Sequence, residues 1–438
     1  MQSTPNSLSF WRAHSVAERS RSMVLFSGKK EQDFSCIFPG MIPEIRQHYN
    51  KQFTEERYQA FLQDVYTHFD HIPGFRIAET PVFIPATLKD KIFEACHQIA
   101  EVVLHPDLKE LTEPSLTDTN RVPNEDAHTT FLQMDFGLCE GAKGEIVPKL
   151  IEVQGFPSLY FYQHFVAGLY RKHFEIPSTV NHLFNGYTPE TYVQLLKEII
   201  VGNEDPKQVV LIDIEPWKQN TQIDFHATRK VLGIHVCCVQ DLYKKGNQLF
   251  YTDDAGNEIW IKRIYNRVIF DELIGRKDLN LKFSFTDDLD VKWIGHPNWF
   301  FRISKFTMPY IKTEYMPKTH FLDQITEIPK DLENYVLKPL YSFSGSGVVF
   351  HVKPEDIDAV QDRSQYILQE KVKYVPVIKT PDNDPVKVEV RIMLIWPDNA
   401  PKPIIVNNLA RLSKGEMIGV KFNKDKTWVG GSVGFYEE

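Results

Sequence analysis

A lysine at the end of an apolar run, followed at once by a turn rich in glycine and serine, is a combination able to hold phosphate. The segment YVLKPLYSFSGSGVVF, residues 335–350, has that form. Lys338 closes a strand-like stretch, and Ser344, Gly345, Ser346 and Gly347 make the turn before the next one. Glycines let backbone N–H groups converge on anionic oxygens, and the lysine adds a fixed positive charge. The spacing is not that of a Walker A loop, because the lysine precedes the glycines. Read by itself, the segment is equally well a hairpin turn with a surface lysine. The stretch YILQEKV, residues 366–372, tips the balance. Its end offers Gln369, Glu370 and backbone amides beside the apolar wall of Val372, the kind of edge and slot an adenine ring requires. Upstream, HPNWFFRISKF supplies a second lysine, Lys305.

Two lysines, a glycine loop and a hinge strand in that order match the nucleotide half of the ATP-grasp fold. On these residues the chain resembles the ATP-grasp superfamily. More closely, it resembles the circularly permuted branch that includes glutathionylspermidine synthetase and its relatives. The resemblance implies ATP and Mg2+ as cofactors, and metal-binding carboxylates that come before the nucleotide lysines in a hairpin. Here QMDFG followed by KLIEVQGFPS takes that place. By the resemblance, Asp135 holds the first carboxylate position, Glu152 the second, and Gln154 stands where the family has asparagine. The chemistry agrees independently, since magnesium takes oxygen ligands, usually one or two carboxylates with phosphates and water. Glu152 and Gln154 are two apart on a strand and share a face, which Asp135 on the paired strand can reach. Taken alone, two carboxylates on a hairpin are more often a solvated edge.

The opposite order would put the metal ligands after the hinge. That region offers Glu389 and Arg391 in VEVRIM, then Asn407, Asn408 and Arg411 in VNNLARLSKG, but no Glu-x-Asn. The permuted assignment therefore stands. Arg391 and Arg411 become candidate phosphate or transition-state contacts, because guanidinium donors neutralise oxyanions at any working pH. The bland alternative for each is a salt bridge or an exposed strand face. Arg267, in IKRIYNRVIFDEL, is a third candidate to face the site.

Two positions depart from the family. Gln133 stands where the family often has an arginine two residues before the first metal aspartate, and Gln154 lengthens the reach of an amide. No amidase-type domain of the kind some relatives carry is visible.

These residues need elements to position them. Residues 1–40 read as a polar arm or lid, and the stretch from Ile42 to about Leu111 spaces apolar residues three and four apart, as helices do. TTFLQMDF and PKLIEV read as a hairpin, and FPSLYFYQHFVAGLYRKHF as a helix. QVVLIDI, DFHATRKVL and GIHVCCVQDL make a small β-α-β unit. ENYVLKPL, GVVFHV, YILQEKV and VKVEVRIMLIW read as strands. The expected architecture is α+β with α/β parts. It comprises an N-terminal arm and helical region (1–115), a first part of the ATP-grasp core carrying the metal ligands (116–204), a small α/β substrate-side domain (205–275) and a nucleotide-binding part (276–438).

Composition bounds the rest. The 438 residues carry a formal net charge of −8, with 42% hydrophobic and 25% charged residues, which is ordinary for a soluble globular chain. The acidic balance argues against a nucleic-acid coat or a polybasic membrane patch. Five cysteines without CxxC spacing fit reduced thiols, and no secretory h-region or spanning segment is apparent, so a cytoplasmic protein is expected. The leading expectation is an ATP-dependent carboxylate-amine ligase acting through an acyl phosphate. Its substrates would be a small carboxylate and an amine, such as an amino acid, peptide or polyamine. Lys305 and Lys338 would hold the α- and β-phosphates, the 344–347 loop would cover the γ-phosphate, and residues 369–372 would seat adenine. Gln133 and Gln154 motivate an alternative, a catalytically impaired nucleotide-binding protein acting as sensor or scaffold. An unrelated α/β protein in which all these segments are structural is a third reading.

Overall fold

The structure, a computed structural model, describes residues 41–438 apart from 343–344, 383, 417 and 419–422. The 1–40 arm and Ser344 therefore lie outside the described residues. The remainder is a mixed α+β arrangement of several sheets with flanking helices.

The main sheet is antiparallel, in the order Gly430–Ser432, Ile404–Ser413, Pro385–Ile395, Phe131–Glu140, Ile146–Gln154, with Pro376–Lys379 pairing beside Pro385–Ile395. Its strands alternate as a two-residue period demands. Leu132, Met134, Phe136 and Leu138 are fully buried on one face, joined by Val388, Val390, Ile392 and Ala410. Gln133, Asp135, Glu389, Arg391 and Arg411 occupy the other. The helices Ala86–Val103 and Tyr160–His173 lie against this sheet. Ala86–Val103 turns Leu88, Ile92, Ala95, Ile99 and Val103 inward, one stripe of a 3.6-residue period. Glu55–Phe69 does the same with Tyr58, Phe61, Val65 and Phe69, and starts on a Thr54 hydroxyl that accepts from the Arg57 N–H at 3.2 Å.

The stretch read as helical from Ile42 onward also contains a short strand, Val82–Ile84. It pairs in parallel with Gly434–Glu437 near the C-terminus, a partner that local periodicity cannot reveal.

The β-α-β unit is present as a four-stranded parallel sheet in the order Lys292–Ile294, Arg263–Asn266, Val209–Asp213, His235–Cys238, with helix Gln222–Leu232 as the crossover. A small antiparallel meander, Tyr243–Lys245, Gln248–Thr252 and Glu258–Trp260, follows it. A third antiparallel sheet sets Tyr366–Glu370 between Thr319–Phe321 and Tyr335–Pro339. GVVFHV, expected as a full strand, makes only the isolated bridge between Leu337 and Val349. Val348, Val349 and Phe350 are only half-buried, so their β-propensity has little packed surface to act on.

Candidate functional site

The polar face of the main sheet is where the separate segments meet. Register puts Asp135 opposite both Arg391 and Glu152, Gln133 opposite Gln154, and Glu389 opposite Arg411. Four neighbouring strands thus contribute charged or amide side chains to one patch.

Asp135 is 3% exposed, and both of its oxygens are engaged. Arg391 donates from Nε at 2.5 Å and from Nη2 at 2.7 Å, and Arg411 Nη1 donates at 2.9 Å. Burial alone would raise the Asp135 carboxyl, but the two guanidinium groups outweigh it and hold it below the usual carboxylate range. The third nitrogen of Arg391 donates to Gln133 Oε1 at 3.1 Å, and Gln133 Nε2 donates to the Ser158 carbonyl at 2.9 Å. Gln133 therefore ties the guanidinium to the turn that precedes helix Tyr160–His173. Arg411 also bonds Glu389, whose other oxygen accepts from the Tyr374 hydroxyl at 3.1 Å. Burial, and behind it the Asp135 charge, raise the Glu389 carboxyl even with Arg411 beside it. Gly137 makes room for Tyr374, since a Cβ there would lie 2.7 Å from the tyrosine ring.

The lysines dock onto the next strand. The pairing of Phe131–Glu140 with Ile146–Gln154 slips between Asp135 and Phe136, leaving Ile151 as the extra residue of a bulge. A bulge frees and re-aims the groups of its extra residue, and the Ile151 carbonyl accepts from Lys338 Nζ at 3.0 Å. The neighbouring Glu152 pairs with Lys305 Nζ at 2.6 Å, and Gln154 Nε2 donates to Glu152 at 3.2 Å. Lys305 further donates to the Ser342 carbonyl at 2.6 Å, and Lys338 to Gln369 Oε1 at 2.6 Å. Burial pushes the Lys338 ammonium down to about 8, with Glu152 opposing the shift.

The structure thus brings together Asp135, Glu152, Gln154, Lys305, Lys338, Gln369, Arg391 and Arg411. Gln369 reaches Lys338 itself as well as lying on the expected hinge strand. Glu370 pairs instead with Lys318 at 3.4 Å, and Val372 is half-buried just past the strand end. Gly345, Ser346 and Gly347 form an exposed turn, with φ of +72° and +69° at the two glycines, where L residues are strained.

Arg267 is placed elsewhere. It is 3% exposed, donates to Asp224 Oδ2 at 2.8 Å and stacks over the Phe225 ring at 4.9 Å. Asp224 Oδ1 in turn accepts from the Phe161 and Tyr162 N–H groups at 3.0 and 2.9 Å, capping helix Tyr160–His173 with an anion.

Glu389, which reads in the sequence only as a ligand of the opposite order, and Tyr374, to which no motif pointed, complete the patch. The signal was the alternation in VKVEVRIM, where Glu389 and Arg391 interrupt an apolar strand on one face.

Two observations bear on what the patch could take. Gln369 Nε2 and Ser342 Oγ are buried and have no hydrogen-bond partner among the described residues, and each sits beside one of the two lysines. Stranded polar atoms next to cations fit an incoming anionic, hydrogen-bonding ligand. For a divalent cation, Asp135, Glu152 and the Gln154 amide are hard oxygen donors on one face, which suits magnesium. Both carboxylates are held by arginine or lysine, so such an ion would have to exchange with those partners. A groove of about 460 Å3, lined by residues including Val349, His351 and Glu416, lies along the segment after the glycine turn and shares no residue with this patch.

The sequence matches no family model and no curated protein. Among solved structures, the chain is similar to a glutathione synthetase-like effector from Globodera pallida. The TM-score is 0.56 at 10% identity, over 91% of this chain and 99% of the other. A candidate γ-glutamylcysteine synthetase from Methylobacillus flagellatus aligns with a TM-score of 0.33 at 11% identity, over 81% of this chain and 87% of that one, too loosely to carry an argument. The likeness to the effector is one of fold: this chain shares the fold of that glutathione synthetase-like protein.

Proposed function

We propose that this protein is an ATP- and Mg2+-dependent carboxylate-amine ligase of permuted ATP-grasp type. One observation carries the reading. Two lysines from segments far apart in sequence dock on the consecutive residues Ile151 and Glu152, next to a buried Asp135 that two arginines hold. A triphosphate needs several cations converging on one line of oxygens, and this patch offers Lys305, Lys338, Arg391 and Arg411.

In this reading Lys305 and Lys338 bind the α- and β-phosphates, the turn at Gly345, Ser346 and Gly347 covers the γ-phosphate, and residues 369–372 flank adenine. Asp135, Glu152 and Gln154 would hold magnesium, which when bound neutralises phosphate charge and aligns the oxygens for in-line transfer. Arg391 and Arg411 neutralise charge that develops on the transferred phosphoryl group. The substrate carboxylate oxygen attacks the γ-phosphorus and ADP leaves. An amine nitrogen then adds to the acyl phosphate carbon, loses its proton, and phosphate departs from the tetrahedral centre. Positioning and charge neutralisation suffice, and no protein nucleophile is required. The glutathione synthetase-like fold supports a ligase of small carboxylates and amines, such as amino acids, peptides or polyamines.

A second reading, a nucleotide binder without ligase turnover, is favoured by the complete engagement of Asp135 and by uncharged Gln133 beside it. Magnesium-dependent ADP release, measured with pooled amino acids, polyamines and short peptides, separates the two. The ligase reading expects release that depends on a substrate pool and falls at least 100-fold in Lys338→Ala and Asp135→Asn. Turnover that survives both substitutions rules the site out, and nucleotide binding without turnover in every pool selects the second reading.

A further inference from the structure

We propose that the cleft keeps each of its three carboxylates on a cation at rest and so takes metal and triphosphate together, with Glu389 as the carboxylate that retains Arg411 when Asp135 is given up. This rests on the nucleotide reading above and adds to it a binding order and a role for Glu389.

The argument starts from how the charges are used. The cations Arg391, Arg411 and Lys305 each already bond a carboxylate, and Asp135, Glu152 and Glu389 each already bond a cation. Lys338 is satisfied by two neutral oxygens, Ile151 O and Gln369 Oε1. A divalent cation arriving alone must take Asp135 or Glu152 from its partner and leave a guanidinium or ammonium buried without a counter-ion. A triphosphate arriving alone meets one cation without a carboxylate, Lys338, and must draw the other three away, leaving bare carboxylates facing phosphate oxygens. Stranding one member of a buried pair is the costly event. Joint arrival avoids it, because phosphate oxygens accept from the cations while the metal takes the carboxylates. Linkage makes the coupling mutual: metal tightens nucleotide by the factor with which nucleotide tightens metal.

The two arginines are not equivalent in this exchange. Arg411 holds Asp135 and Glu389 at once, so on losing Asp135 it still has an anion. Arg391 holds Asp135 and the neutral Gln133 oxygen, so on losing Asp135 it is left without a counter-ion. Arg391 is therefore the guanidinium released toward the phosphates, and Glu389 the residue that keeps Arg411 in place.

Isothermal calorimetry on the full chain tests this with three probes: magnesium chloride alone, a non-hydrolysable imido analogue of ATP in EDTA, and the two together. In the wild type, the analogue is expected to bind at least 30-fold tighter with magnesium than in EDTA, and magnesium alone to give no saturable heat. Glu389→Gln is expected to move the two constants in opposite directions. Magnesium affinity in the presence of analogue falls about 10-fold, because Arg411 then has only Asp135. Analogue affinity in EDTA rises several-fold, because the cleft has lost a negative charge. A merely loosened site would weaken both. Arg391→Gln serves as a second variant, expected to weaken the analogue with magnesium far more than in EDTA. Equal analogue binding with magnesium and in EDTA, or parallel loss of both constants in Glu389→Gln, overturns the proposal while leaving the nucleotide reading intact. Absence of analogue binding under every condition overturns the nucleotide reading and this inference with it.

Discussion

The Asp135–Arg391 pair offers a quantitative test that needs no ligand. Asp135→Asn keeps the shape of the side chain and removes its charge. Arg411 retains Glu389, but Arg391, 6% exposed, loses its counter-ion and one of its two short bonds, keeping the remaining amide oxygen and Gln133. Removing one partner of a buried ion pair costs about 3–5 kcal/mol. At about 2.1 cal/mol/K per residue, roughly 400 residues unfolding together have an unfolding entropy near ~0.8 kcal/mol/K, so Tm should fall by ~4–6 °C. Arg391→Met should cost a similar amount by stranding the carboxylate on Arg411 alone. The double variant Asp135→Asn/Arg391→Met removes both charges and should recover about 2–3 kcal/mol of the summed loss. Scanning calorimetry of the four proteins at low and at ~0.5 M salt measures the cycle, and a buried pair should respond little to the salt. Losses that add within about 0.5 kcal/mol, or an unchanged Tm in Asp135→Asn, would refute the buried pair.

Three further outcomes follow from individual contacts. With the Lys338 ammonium pushed down to about 8 by burial, the lysine is charged below that pH and neutral above it. Nucleotide affinity should therefore be full near pH 7 and weaken as pH rises through about 8, and Lys338→Arg should flatten this profile in equilibrium titrations. Gly137→Ala would push a Cβ to 2.7 Å from the Tyr374 ring; a loss of about 1–3 kcal/mol is expected by thermal denaturation, with weaker nucleotide binding as the Tyr374–Glu389 contact shifts. Arg267→Met should cost about 3–5 kcal/mol of stability by leaving the buried Asp224 carboxylate without its cation, while analogue affinity measured well below Tm stays within about two-fold. A large affinity loss there would tie Arg267 to the cleft.

Much of the architecture is written in local pattern. The alternation of LQMDFGL gives a strand with Gln133 and Asp135 on one face and Leu132, Met134 and Phe136 on the other, and the β-α-β unit follows from its apolar runs. The meeting of 131–154 with 305–411 is anticipated through the resemblance to the permuted ATP-grasp branch, since two carboxylates on a hairpin taken alone read as a solvated edge. What local pattern could not supply is long-range pairing. Val82–Ile84 becomes a strand because the distant C-terminal segment lies beside it. Arg267 looked like a cleft residue because its partner, Asp224, sits on a helix whose capping role appears only in three dimensions. Glu389 reads in the sequence only as a metal ligand of the opposite order, and its pairing with Arg411 appears only once register sets the two opposite each other. The bulge at Ile151, which turns a carbonyl toward Lys338, leaves no mark in the sequence, since no glycine or proline announces it.

The central claim is that segments far apart in the chain form one cleft for a metal-bound triphosphate. A crystal structure with the imido analogue of ATP and magnesium tests it most directly. The account predicts phosphates between Lys305 and Lys338, magnesium on Asp135 and Glu152, Arg411 still on Glu389, and adenine beside residues 369–372. Nucleotide bound elsewhere, with the Asp135–Arg391 pair unbroken, would contradict it.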